Sequence, residues 1–200
     1  MATYNGEQYL PEQIDSILAQ SYPVYELIIQ DDCSTDGTAD VVRRYMETYP
    51  FIHLFINERN VGYNENFRRA AMLATGDFVA LSDQDDIWFP QKLERQVAAI
   101  GDCEMCFSNT LDGETLESSV MSFDRCPTLE TIIWGNQVSG HTMLCRREFV
   151  QNPTNWGCDD FDTYYDHILT LHALIDSSVV KVDEPLNSSG HRTILTLGFR

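Results

Sequence analysis

Through its first hundred residues the chain switches again and again between short apolar runs and amphipathic stretches, with little more than turn residues between them. Glu26-Leu27-Ile28-Ile29-Gln30, the run from Phe51 to Ile56 and Phe78-Val79-Ala80-Leu81 have the length and β-branched character of buried strands. Leu10, Ile14, Ile17 and Leu18 fall at helical spacing, as do Val41, Val42, Tyr45 and Met46. A further helix is expected over about residues 65 to 74. Another begins near Pro90, with Leu93, Val97 and Ile100 on one face. This alternation predicts an α/β fold with a mostly parallel central sheet and helices on both of its faces.

The second half is less regular. It reads as a strand over Cys103 to Ser108, a polar loop-like stretch over 110 to 127 and a short helix over Thr128 to Trp134. A strand over Thr142 to Cys145, a helix over Phe161 to Leu174 and a last strand over Val179 to Val182 follow. No repeat, low-complexity tract or linker divides the chain, so a single domain over 1–200 is expected.

In open α/β sheets ligands gather at the carboxyl ends of the strands. Three such ends here are polar: Thr3-Tyr4-Asn5, Asp31-Asp32 and Ser82-Asp83-Gln84-Asp85-Asp86. The last sets three carboxylates within four residues. Charges that close raise one another's pKa unless a cation sits among them. Carboxylate oxygens are the ligands of hard divalent ions such as Mg²⁺ and Mn²⁺, which commonly complete their shells with substrate phosphates. A metal-plus-diphosphate site is therefore the expectation, against the plainer reading of a solvated acidic turn.

A formal net charge of −18 makes nucleic acid and anionic membrane poor partners, and an anionic substrate would need compensation by metal or arginine. No apolar run is long enough to span a bilayer and no signal-peptide pattern opens the chain, so a cytoplasmic protein with at most peripheral membrane association is expected. The six cysteines lack paired zinc spacing and read as reduced thiols.

In order along the chain, Ala2-Thr3-Tyr4-Asn5-Gly6-Glu7, Gln30-Asp31-Asp32-Cys33-Ser34-Thr35-Asp36-Gly37-Thr38, Asn60-Val61-Gly62 and Ser82-Asp83-Gln84-Asp85-Asp86-Ile87-Trp88 form a specific set. With it the chain resembles the bacterial glycosyltransferases of family 2, in the rhamnosyltransferase-like branch that builds cell-surface polysaccharides. The resemblance implies the Rossmann-like GT-A fold, with a nucleotide-sugar-binding half over 1–100 and an acceptor-side half over 101–200. It implies a UDP- or dTDP-sugar donor, a divalent metal (Mg²⁺ or Mn²⁺), inversion at the anomeric carbon and a glycan or lipid-linked glycan acceptor.

By position, Thr3, Tyr4, Asn5 and Glu7 would line the nucleotide pocket, and one carboxylate of Asp31 and Asp32 would take the N–H of a pyrimidine. Asn60, Gly62 and Arg68 would lie beside the donor. Asp83 would meet the ribose or sugar, and Asp85 would ligate the metal with His191. Asp166 would be the base, with Asp160 and Asp162 competing for that role. Gly140, His141 and the segment from Trp156 to Asp160 would face the acceptor. Because Met1-Ala2 alone precede the Thr3-Tyr4-Asn5 segment, the resemblance also implies a truncated first strand. Two other readings stand beside this one. A nucleotidyltransferase would have a basic Gly-rich loop, which Thr3 to Glu7 lacks. A truncated domain would instead bind nucleotide sugar or glycan without turnover.

Overall fold

The computed structural model describes residues 1–112, 119–121, 126–157 and 163–189. In chain order the elements are β1 (Ala2–Thr3), α1 (Leu10–Leu18), β2 (Leu27–Asp31), α2 (Thr38–Thr48), β3 (Ile52–Ile56), α3 (Tyr63–Leu73), β4 (Phe78–Ala80), β5 (Ile87–Trp88) and α4 (Lys92–Ile100). There follow β6 (Met105–Asp112), β7 (Ser119–Met121), α5 (Leu129–Ile132), β8 (Met143–Arg146), α6 (Arg147–Val150), α7 (Tyr165–Ile175) and β9 (Val179–Ser189).

The expected parallel arrangement is found in the first sheet, which runs β1-β2-β3. Ala2 stands opposite Gln30 and Thr3 opposite Asp31, while Leu27 to Asp31 pair in step with Ile52 to Ile56. The second sheet, β4-β8-β6-β9-β5 with β7 on β6, is mixed: of its pairings only β6 with β9 is parallel. The two meet where the Ala2 N–H donates to the Ser82 oxygen at 3.2 Å. This junction aligns the ends of β1, β2 and β4, so Thr3, Asp31 and the acidic run share one edge.

All five residues of β2 are buried, as a strand covered on both faces requires. One face packs Leu10, Ile14 and Ile17 of α1 with Val41, Val42 and Ile100; the other packs Phe67 and Ala71 of α3 with Leu169 and Ala173 of α7. The halves expected from the sequence share one sheet, since β4 pairs with β8 and β5 with β9.

Three elements differ from the sequence reading. β5 is two residues long, too short to carry a periodic signal, and exists because Ile87 and Trp88 pair with Ser188 and Asn187. β9 continues past Val182 through Asp183-Glu184-Pro185, tolerated by register shifts around Asn109 of β6. Within the stretch expected to be loop, β6 runs on to Asp112 and β7 returns along it.

Candidate active site

The acidic run leaves β4 and is held by two loops. Gln84 bridges it to the first strand end: its Oε1 accepts from the Tyr4 N–H at 2.8 Å, and its Nε2 donates to the Tyr4 oxygen at 3.2 Å. Any Cβ at Gly6 would collide with the Gln84 side-chain amide, so this close approach needs glycine.

Asp83 and Asp86 converge with His141, which sits on a short 3₁₀ turn (residues 140–142) just ahead of β8. His141 Nδ1 lies 3.4 Å from Asp83 Oδ2 and 3.8 Å from Asp86 Oδ2. One ligand atom from each of the three falls within 4.8 Å of the others. Asp86 is 3% exposed, and its Oδ2 has no hydrogen-bond partner. Burial pushes its carboxyl up to about 7, while His141 and Lys92 pull the other way. His141 itself is raised: burial works against its charged form, but Asp86 and Asp83 outweigh it. Two carboxylates, one with an orphaned buried oxygen, and an imidazole form a donor set that fits a divalent ion.

Asp85 lies outside this group. It is half-buried, and burial, with Asp83 next, raises its carboxyl. The choice between Asp85 and Asp86 depends on how the chain turns after β4, which spacing alone does not encode. His191, Asp160 and Asp162 lie outside the described residues.

Asp166 opens α7. Its Oδ2 accepts from the Gly140 N–H at 3.1 Å and its Oδ1 from the His167 N–H at 2.8 Å. Burial raises its carboxyl, and these two N–H groups only partly offset that. Gly140 is pressed against Tyr165: a Cβ there would overlap the tyrosine hydroxyl. Tyr165 is in turn fixed between Phe67 and Trp156, with ring centroids at 4.4 and 6.0 Å. Trp156 also donates to the Val150 oxygen and packs as a core residue.

The residues expected from the sequence to line a nucleotide pocket form a tight polar cradle. Asp31 Oδ1 accepts from the Thr3 hydroxyl at 2.9 Å and from the Ser34 hydroxyl, and Oδ2 accepts from the Ser34 N–H. Asp32 Oδ1 takes the Val61 N–H and the Asn57 amide, and Oδ2 takes the Gly62 N–H. Among the described residues each carboxylate accepts three hydrogen bonds, of roughly four acceptor positions. Asn5 has φ 49° and its Oδ1 accepts from the Thr35 N–H; Glu7 Oε2 accepts from the Gly37 N–H. Asn60 is exposed and accepts from the Gly62 N–H at 3.2 Å. Arg68 forks onto Glu65 at 2.6 and 2.9 Å.

Two residues that the sequence did not single out anchor the site from α4. Lys92 Nζ donates to the His141 oxygen at 3.0 Å, and Gln96 Nε2 donates to the Thr142 oxygen at 2.7 Å. Both side chains are wholly buried. The available signal was their place on the helix: Lys92 and Gln96 flank Leu93 and share the buried face with Ile100.

Residues 1–121 match the family model described as glycosyl transferase family 2. A putative teichuronic acid biosynthesis glycosyltransferase of Bacillus subtilis, TuaG, is 39% identical over 108 residues, covering 54% of this chain and 43% of that protein. The fold is shared with Staphylococcus aureus TarS 1–349 in complex with UDP-GlcNAc, at a TM-score of 0.78 and 23% identity, over 96% of this chain and 57% of that one. It is shared too with the mannosyltransferase PcManGT of Pyrobaculum calidifontis in complex with GDP-Man and Mn²⁺ (TM-score 0.70, 20% identity, 94% and 55% covered). The chain thus spans about half the length of the proteins it matches. No helix among the described residues is long and apolar enough to cross a membrane.

Proposed function

The chain belongs to glycosyl transferase family 2, and we propose that it carries the catalytic centre of a metal-dependent, inverting glycosyltransferase in cell-surface polysaccharide synthesis. The observation that carries this reading is one turn with two faces. Gly140 donates to Asp166, and the next residue, His141, faces Asp83 and Asp86. A candidate base and a candidate metal group thus flank a single pair of residues.

In this reading Asp83, Asp86 and His141 would hold the cation, which when bound would supply positive charge against that growing on the departing diphosphate. The cradle of Asp31, Asp32 and the 60–62 loop receives the nucleoside, with the free acceptor position of one carboxylate taking a pyrimidine N–H. Asp166 accepts the proton of the acceptor hydroxyl while that oxygen forms its bond to the anomeric carbon. The bond from that carbon to the phosphate oxygen breaks, and its electron pair leaves with the nucleoside diphosphate. A single base on the face opposite the leaving group suffices for inversion. The raised pKa of Asp166 makes it a stronger base than an ordinary surface carboxylate. UDP- and dTDP-sugars are the donors proposed, supported by a solved relative's UDP-GlcNAc complex. The acceptor proposed is a glycan or lipid-linked glycan, with the protein on the cytoplasmic side of the membrane.

The test is a thermal-shift matrix of UDP and dTDP with and without Mn²⁺. Metal and diphosphate share one site in this reading, so together they should raise Tm by more than the sum of their separate shifts. Strictly additive shifts, or none at saturating ligand, would count against a metal-bridged diphosphate.

A further inference from the structure

Behind the 60–62 loop, side-chain amides form a buried chain whose polarity is fixed from both ends. Asn57, just past β3, is 5% exposed and uses its whole hydrogen-bonding capacity. Its Oδ1 accepts from Arg69 Nη1 at 2.8 Å and from Gln30 Nε2 at 3.0 Å. Its Nδ2 donates to Asp32 Oδ1 and to Asn66 Oδ1, each at 2.8 Å. We propose that Asn57 and Arg69 are positioning residues for Asp32. Through it they select a nucleobase that presents a ring N–H, as uracil and thymine do, over cytosine. The proposal rests on the reading of the Asp31 and Asp32 cradle as the nucleoside site.

The guanidinium of Arg69 has donors only, so the Asn57 amide must turn its oxygen to α3 and its nitrogen to Asp32. At the other end, Asn66 Nδ2 donates to two backbone oxygens, of Gln30 at 2.9 Å and of Thr3 at 3.4 Å. Carbonyls only accept, so Asn66 must turn its own oxygen to Asn57. That again sets the Asn57 nitrogen toward Asp32. The two ends agree, and a flipped Asn57 would press oxygen against oxygen at both Asp32 and Asn66. Glu65 braces the Arg69 end, accepting from its Nε at 2.8 Å. Gln30, Asn57 and Asn66 are all buried, so water is a poor substitute for any lost partner.

The consequence falls on Asp32. Among the described residues its carboxylate meets Asn57 Nδ2, the Val61 N–H and the Gly62 N–H, all of which only donate. Both of its oxygens are thus held as acceptors, and what it offers a ligand is an acceptor too. Asp31 is held differently. Two of its partners are the hydroxyls of Thr3 and Ser34, whose protons can rotate. Uracil and thymine present N3–H to an oxygen held like those of Asp32. Cytosine presents a lone pair at the same atom, so acceptor would face acceptor. A site built to pair a ring N–H rejects a base that lacks it, because its own buried polar group is left unpaired.

UDP and CDP differ at that edge and little in shape. Calorimetry gives the Kd of each, with Mn²⁺ present, for the parent and for Asn57→Leu, Arg69→Met and Arg69→Lys. The parent is expected to prefer UDP by about tenfold or more, the worth of a hydrogen bond to a charged group. Asn57→Leu keeps the branched shape and removes the amide, so the ratio should fall below about threefold. Arg69→Met should lower the ratio by about threefold or more, and Arg69→Lys, which keeps a donor-only group, should hold it near the parent's. A merely structural role for the chain would lower Tm in the variants and leave the ratio unchanged, and that result would overturn the proposal. So would a parent that binds UDP and CDP equally, which would leave the nucleoside site standing without its selectivity. Failure of the parent to bind UDP at all would remove the cradle reading as well. Should Asn57→Leu not fold, the contrast between Arg69→Met and Arg69→Lys decides.

Discussion

Lys92 Nζ hydrogen-bonds the backbone oxygen of His141 across 3.0 Å, and no part of the lysine reaches solvent. The ammonium also lies 5.0 Å from the centroid of the Trp88 ring. A helix side chain thereby fixes the peptide that carries one member of the candidate metal group. Lys92→Met keeps the apolar stem and removes the donor. Mn²⁺ affinity should fall about tenfold or more, as for other supports behind metal ligands. Tm should hold or rise, because a buried charge has gone. Electron paramagnetic resonance titration of Mn²⁺ reads the first effect and calorimetry the second. Unchanged Mn²⁺ affinity would show that the turn keeps its place without Lys92.

The metal group itself separates three neighbouring carboxylates. Asp86→Asn and His141→Ala should each weaken Mn²⁺ binding by at least about tenfold, since each removes a ligand. Asp85→Asn should weaken it less, because Asp85 stands outside the group and acts only through its charge. Without added metal, Asp86→Asn should be more stable than the parent, as the orphaned buried oxygen no longer carries charge. The reverse order of Mn²⁺ affinities would move the site to Asp85.

Stability without metal should depend on pH in two opposed limbs. Asp86 is raised to about 7 in the folded protein from 3.8, so its contribution is full below about pH 4 and is lost as pH rises through 7. Lys92 is lowered to about 7 from 10.5, so its contribution is present above 10.5 and is lost as pH falls through 7. The two together place a local minimum of Tm near neutrality. Asp86→Asn should flatten the acid limb and Lys92→Met the alkaline one. A Tm profile identical in shape for parent and both variants would rule these groups out as its cause.

The first half of the fold was legible because its signals are local. Leu10, Ile14 and Ile17 mark α1, and Leu27 to Gln30 mark β2. The second half depends on pairings distant in sequence. Ile87-Trp88 becomes a strand only through Asn187 and Ser188, and nothing local announces that. The site divides in the same way. Asp83, Gly140, His141 and Asp166 lie on strand ends and turns where polar residues invite attention. That His141 comes within 3.4 Å of Asp83 depends on β8 lying beside β4, a fact of topology. Lys92 and Gln96 escaped notice because charge and amide on a helix ordinarily read as surface.

Gly140 offers a test of the turn that leaves every polar group in place. Gly140→Ala sets a methyl against the Tyr165 hydroxyl, and overpacking of this kind costs about 1–3 kcal/mol. At roughly 2–4 °C per kcal/mol, Tm should drop by several degrees. Tyr165→Phe deletes the opposing oxygen, so the double variant should recover part of the loss. A double-mutant cycle with no coupling would show that the backbone absorbs the methyl elsewhere.

Asp166→Asn bears most directly on the proposed reaction. The amide keeps its shape, and its oxygen can still accept from Gly140 or His167, so the turn is expected to stay in place. In the proposed reading donor and metal bind on the far side of that turn, so affinity for UDP with Mn²⁺ should change by less than about threefold. Transfer to the acceptor should fall on the order of a hundredfold to ten-thousandfold, the usual worth of a positioned base. The deficit should appear in kcat, because the proton is taken only in the transition state. In the parent, burial of Asp166 should set the acid limb of turnover above the ordinary carboxylate range, and that limb should vanish from the residual rate of the variant. Parallel Asn substitutions at Asp160 and Asp162 complete the test. Full turnover in Asp166→Asn with loss at either of these would reassign the base and leave the mechanism standing. Full turnover in all three would remove a carboxylate base from this segment altogether.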